Sequence, residues 1–129
     1  MASITKHIPA AAGAQKAWQM VSDIGGVDKL VGMISTCSLD GDKRYCTFAD
    51  GNGVTEQIIG VDETEKRVVY TVTEGPMPIE FHCSTVQVKD AADGAEVVWS
   101  VDIKPDALAQ PMSDLMDAAA QSMAERLAN

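Results

Sequence analysis

Residues 35–72 read STCSLDGDKRYCTFADGNGVTEQIIGVDETEKRVVYTV. Three clusters of turn-forming residues cut this β-prone stretch: Asp40-Gly41, Asp50-Gly51-Asn52-Gly53 and Glu63-Thr64-Glu65. No helix fits between the cuts. Successive strands therefore pair as an antiparallel meander, not as a parallel α/β sheet. Ala91 to Gly94 marks one further hairpin.

Alternation assigns the faces. In AEVVWSVDIKP, residues 95–105, Val97, Trp99, Val101 and Ile103 share one side, while Glu96, Ser100, Asp102 and Lys104 share the other with Val98. In KRVVYTVTE, residues 66–74, Val68, Tyr70, Val72 and Glu74 point inward. In GVTEQIIG, residues 53–60, the inward set is Val54, Glu56 and Ile58. The strand after Pro78 is expected to start with Ile79, Phe81 and Cys83 inward and to continue with Val86 and Val88 inward. That change of parity requires a bulge near Ser84–Thr85.

Further out, ASITKHI at residues 2–8 suits an opening strand, and Ala14, Trp18 and Val21 are spaced as one face of a helix over about 11–23. Gly25-Gly26 is expected to cap that helix in the left-handed conformation, with a short second helix in VDKLVG. At the other end, Leu108, Met112, Leu115, Met116, Ala119, Met123 and Leu127 recur at three- and four-residue steps. Pro111 fits only a first turn, so the last helix starts near Gln110. Asp114 and Asp117 early in it and Arg126 late complement its dipole.

Bulk properties narrow the function. The chain has 129 residues, 46% of them hydrophobic and 22% charged, and a formal net charge of −9; one domain over 1–129 is expected. The negative balance disfavours nucleic-acid and anionic-membrane partners. No apolar run approaches the roughly 20 residues of a membrane span. The start, MASITKHIPAAAGA, has no long apolar centre, so no signal peptide is read and a cytoplasmic location is expected. Cys37, Cys46 and Cys83 have no ligand spacing, and His7 and His82 stand alone. They read as reduced core or strand residues, with no metal and no cofactor expected. No phosphate-loop, dinucleotide, nucleophile-elbow or zinc-protease motif occurs.

The order strand, helix, short helix, antiparallel strands, long helix resembles the START-like (SRPBCC) helix-grip superfamily, in its bacterial polyketide cyclase/dehydrase-like branch. The likeness is carried by AWQMVSDIGGVDKLVG, FADGNGVTEQIIGVDE, RVVYTVTEGPMPI and VVWSVDIKP and covers nearly the whole chain. Near Leu30 many relatives carry a tryptophan instead. The resemblance implies an α+β fold, a curved antiparallel sheet gripping the C-terminal helix around a cavity. It also implies that Gly75-Pro76-Met77-Pro78, a stiff and apolar turn, rims that cavity.

Glu56 faces an apolar interior. Three roles stay open for it: orienting a ligand, pairing with Arg44 or Arg67, or serving with Tyr70 as acid and base on a carbonyl compound. Burial is expected to raise its pKa above the ordinary value of about 4.3. Candidate lining residues are Trp18, Ile58, Val72, Met77, Phe81, Cys83, Trp99, Val101, Met112, Met116 and Ala119. Seven methionines suit a pliable pocket. The expected function is binding of a small hydrophobic molecule by a carrier or sensor, monomeric or homodimeric. The alternatives are a cyclase/dehydratase-like enzyme and an interaction module with a filled cavity.

Overall fold

The computed structural model describes residues 1–129. Seven strands form: β1 (Ala2–Ala10), β2 (Ile34–Asp40), β3 (Lys43–Phe48), β4 (Gly53–Asp62), β5 (Arg67–Glu74), β6 (Phe81–Ala91) and β7 (Gly94–Lys104). They make one curved antiparallel sheet in the order β1-β7-β6-β5-β4-β3-β2. The meander runs from β2 to β7, and β1 crosses back to pair along β7 from Ala2–Ile103 to Ala10–Ala95. Helices α1 (Ala14–Ser22), α2 (Val27–Leu30) and α3 (Ala109–Arg126) cover one face. This is the α+β helix-grip architecture.

The inward row of β7 forms the spine of the core. Val97, Val101 and Ile103 have no exposed surface, and Met116 of α3 and Leu127 just after it are packed as tightly. Each such side chain contributes about 1.5–3 kcal/mol of transfer free energy when buried. Polar contacts then fix the helix on the sheet. Lys6 on β1 reaches Asp117 at 2.7 Å and Ser113 at 2.9 Å. At the other end of α3, Arg126 donates to the carbonyls of Lys29 and Asp28, while the Ser122 hydroxyl accepts the Gly32 N–H. In α1, Trp18 is buried and donates its indole N–H to Glu63 at 2.7 Å, tying the helix to the β4–β5 turn.

Two local expectations are corrected. Strand β6 has no bulge: it pairs with β7 in unbroken register from Phe81–Lys104 to Ala91–Gly94. Its buried positions are His82, Ser84, Val86 and Val88, a single parity. Phe81 and Cys83 therefore lie on the outer face, with Phe81 45% exposed. The extra residues fall elsewhere, at Ser35 in β2, Ile59 in β4 and Thr73 in β5. An extra residue bends its strand, so one bend sits in the strand that carries Glu56 and another in its partner β5. The second correction concerns Gly25-Gly26. These residues form a 3-10 turn with Ile24, and Gly26 has φ −113. A Cβ at 26 would stand 2.2 Å from the Asp23 carboxylate, so a larger residue there requires the Asp23 side chain to turn away.

Candidate functional site

The sheet and α3 do not meet along their whole length. Between β4, β5, β6 and the start of α3 lies a cavity of about 470 Å³. Val54, Glu56, Tyr70, Val72, His82 and Trp99 face it from the sheet, and Met112 and Leu115 from α3. Gly75, Pro76, Met77 and Ile79 close one side; Met33 and the β3–β4 turn, with Phe48, Asp50 and Asn52, close another. Eleven of its seventeen lining residues are hydrophobic, so an occupant would lie mainly against hydrocarbon. A smaller cavity of about 110 Å³ lies behind it, bordered by Val21, Val27, Leu30 and Val31 and by Ala119 and Met123 of α3. Glu56, Tyr70, Trp99, Leu115, Phe48 and Met33 border both and so form the partition.

Glu56 and Tyr70 are the polar side chains of that partition, and Arg44 meets them from the smaller cavity. Arg44 and Glu56 are cross-strand partners on β3 and β4, and both side chains point inward. Arg44 Nε donates to Glu56 Oε1 at 2.7 Å, a length typical of a charge-assisted bond to a carboxylate. Arg44 Nη1 donates to the Ile24 carbonyl at 3.1 Å, and the guanidinium carbon lies 4.8 Å from the Tyr70 ring centroid. Burial lifts the Glu56 carboxyl above the usual range, with Arg44 pulling the other way. Burial also works against the Arg44 charge, but the carboxylate and Tyr70 outweigh it and its pKa rises. Burial, then the Glu56 charge, push Tyr70 up to about 12, so its hydroxyl stays protonated at neutral pH.

His82 is the group that sequence reasoning missed. Its Nδ1 accepts the Val72 backbone N–H at 3.1 Å, so the neutral ring carries its proton on Nε2. Burial lowers its pKa to about 4. The ring is tilted against Tyr70 with centroids 6.0 Å apart. The Thr71 hydroxyl donates to the His82 carbonyl and helps hold this strand pair. Next along β6, the Ser84 hydroxyl is satisfied by the Trp99 indole N–H at 2.8 Å. The only sequence signal was parity: extending the Val86 and Val88 row backwards puts Ser84 and His82 inward.

Of the candidate residues, Glu56, Tyr70, Val72, Met77, Trp99 and Met112 border the larger cavity, and Ala119 borders the smaller one. Val101 and Met116 are sealed in the close-packed core, while Ile58 and Trp18 are buried away from both cavities. Phe81 and Cys83 are on the far face. Of the two partners considered for Glu56, Arg44 is the one it meets; Arg67 lies 3.5 Å from Asp62 at the surface. Cys37 and Cys46 face each other across β2 and β3 with sulfurs 3.5 Å apart, and burial pushes the Cys46 thiol up. No cluster of three or more His, Cys, Asp or Glu side chains could hold a metal ion.

A curved seven-stranded sheet, a long C-terminal helix and a partly apolar cavity between them define the helix-grip class. The chain belongs to the family described as polyketide cyclase/dehydrase and lipid transport, whose sequence profile matches residues 1–129. An uncharacterised Bacillus thuringiensis protein is similar in structure, with a TM-score of 0.91 and 17% identity over 99% of this chain and 100% of that one. A Thermobifida fusca protein superposes with a TM-score of 0.83 and 25% identity over 98% and 93% of the two chains. Norcoclaurine synthase of Thalictrum flavum shares the fold at a TM-score of 0.70 and 18% identity, over 98% and 93%. No curated protein sequence matches the chain.

Proposed function

We propose that this protein binds a small hydrophobic molecule in the cavity between the sheet and α3, as a carrier or sensor. The observation that carries this is the cavity itself: about 470 Å³ of space bordered mostly by hydrocarbon in a protein of 129 residues. That volume lies within the range of small-molecule sites. An interaction module would fill such space with its own side chains. Family membership supports the same direction, since its description includes lipid transport. In this scheme residues 1–129 act as one ligand-binding domain, Met77 and its flanking prolines gate the mouth, and Met33, Met77 and Met112 adapt to the ligand's shape.

Protein purified from its own host and compared by native and denaturing mass spectrometry tests the proposal. A bound mass of a few hundred daltons, lost on denaturation, is expected. A homogeneous apo mass that persists when apolar compounds are added contradicts it.

A second reading is favoured by one observation: a carboxyl group, Glu56, and a protonated hydroxyl, Tyr70, border the same cavity. They could act as base and acid on a carbonyl compound. Glu56→Gln keeps an oxygen for Arg44 and separates the two. A carrier retains ligand binding, while an enzyme loses turnover of its bound substrate by about a hundredfold or more.

A further inference from the structure

We propose that the cavity selects a neutral ligand carrying a hydroxyl and a separate hydrogen-bond acceptor, held by Glu56 and His82, and rejects carboxylate-headed lipids. This rests on the ligand-binding function proposed above and adds the chemistry that the ligand must present.

Glu56, Val72 and His82 stand in one row across three strands. Glu56 pairs with Val72 in the sheet, and the Val72 N–H bonds to His82 Nδ1. The regular β5–β6 pairing ends at Tyr70–Ser84 and the Val72 N–H bonds the His82 ring, so the two polar side chains stand on strands separated by β5, with Val72 between them. All three border the larger cavity.

Each polar residue has one atom engaged and one free. At Glu56, Oε1 takes the Arg44 bond and Oε2 has no partner in the protein; at His82, Nδ1 is engaged and Nε2–H has none. Glu56 is 9% and His82 5% exposed. Yet no sealed side-chain nitrogen or oxygen lacks a partner, so both free atoms open onto accessible space. His82 borders only the larger cavity, and Glu56 borders it together with the smaller one. One wall thus offers a carboxylate acceptor and an imidazole N–H donor. A ligand hydroxyl satisfies the first and a carbonyl or ether oxygen the second.

Anionic headgroups are excluded by what surrounds this pair. No Lys or Arg borders the larger cavity, whereas Asp50 does. The nearest cation, Arg44, is committed to Glu56 and to the Ile24 carbonyl, with its face on Tyr70. A ligand carboxylate entering here would meet Glu56 without a free counter-charge.

The test uses purified wild-type protein and displacement of neutral Nile red by four compounds on one naphthalene skeleton. These are 6-hydroxy-2-acetylnaphthalene, 2-acetylnaphthalene, 2-naphthol and 6-hydroxy-2-naphthoate. The hydroxy-ketone is expected to bind about tenfold tighter than either singly substituted compound, and the naphthoate weakest. His82→Phe should bring the hydroxy-ketone and 2-naphthol to equal affinity, and Glu56→Gln should bring the hydroxy-ketone and 2-acetylnaphthalene closer. Equal wild-type affinities across the panel, or tightest binding of the naphthoate, overturn this selectivity while ligand binding stands. Failure to bind Nile red and all four compounds overturns both.

Discussion

Strands β5 and β7 have the same alternating pattern and opposite fates. On β7, Val97, Val101 and Ile103 are wholly buried against α3 and its neighbours. On β5, Tyr70 and Val72 point to the same side of the sheet but keep accessible surface, and that surface lies in the cavity. Alternation decides which face a residue joins. What that face meets is decided by where the helix sits, and α3 is anchored to β1 through Lys6 and Asp117 and to α2 through Arg126. One half of the molecule is consequently a close-packed core, and the other is a scaffold around a hole with a buried ion pair in its wall.

The largest expected effect lies in that ion pair. Arg44→Met strands Glu56 in a site that already disfavours its charge, and stability should fall by about 3–5 kcal/mol in urea unfolding at neutral pH. A loss below about 1 kcal/mol would mean that the wall is wetter and less demanding than its geometry implies.

Next comes a paired truncation on adjacent residues of α3. Met116 is fully buried in the closed half, whereas Leu115 borders both cavities. Met116→Ala should cost about 2–5 kcal/mol, because it opens a new void. Leu115→Ala only enlarges existing space and should cost clearly less. Equal costs would erase the distinction between the halves.

A smaller effect follows from pH. His82 is held to about 4, below its ordinary 6.5, so the unfolded chain binds its proton more readily than the folded one. Stability from this residue is complete above about 6.5 and declines as pH falls towards 4, by at most about 3 kcal/mol. Glu56 runs the other way: its raised pKa makes the folded state the better proton binder at and just above the ordinary carboxyl range. Subtracting the stability of His82→Gln from that of the wild type at each pH removes the Glu56 contribution to first order. The difference should shrink from pH 7 to pH 4, and a difference that stays constant would place His82 in contact with water.

Much of the architecture was legible because it rests on local periodicity. The meander, the faces of β4 and β7, the face of β5 as far as Val72 and the apolar stripe of α3 all follow from spacing alone. Glu74, expected inward, is exposed because Thr73 is an extra residue in the pairing with β4. Strand β6 was misread for a physical reason. Phe81 and Cys83 look like core residues and His82 and Ser84 look like surface ones, yet the two polar side chains are buried against partners supplied by other strands, the Val72 N–H and the Trp99 indole. Such satisfaction is non-local, and no window of sequence contains it. The same holds for Glu56: its inward direction was readable, but the choice of Arg44 over Arg67 depended on strand register. Gly26 was legible as a break but not as a close approach to Asp23, which only the folded turn creates.

The methionines offer the most direct test of the division between the halves. Met33, Met77 and Met112 border the larger cavity, Met116 is sealed in the core, and Met1 and Met20 border neither cavity. With ¹³C-methyl methionine labelling, titration with 2-acetylnaphthalene can be followed at each methyl group by NMR. Binding in the cavity predicts shifts at Met33, Met77 and Met112, with Met1, Met20 and Met116 unmoved. Shifts led by Met1 or Met20, or none at any methyl group at saturating compound, would contradict a cavity built for a ligand.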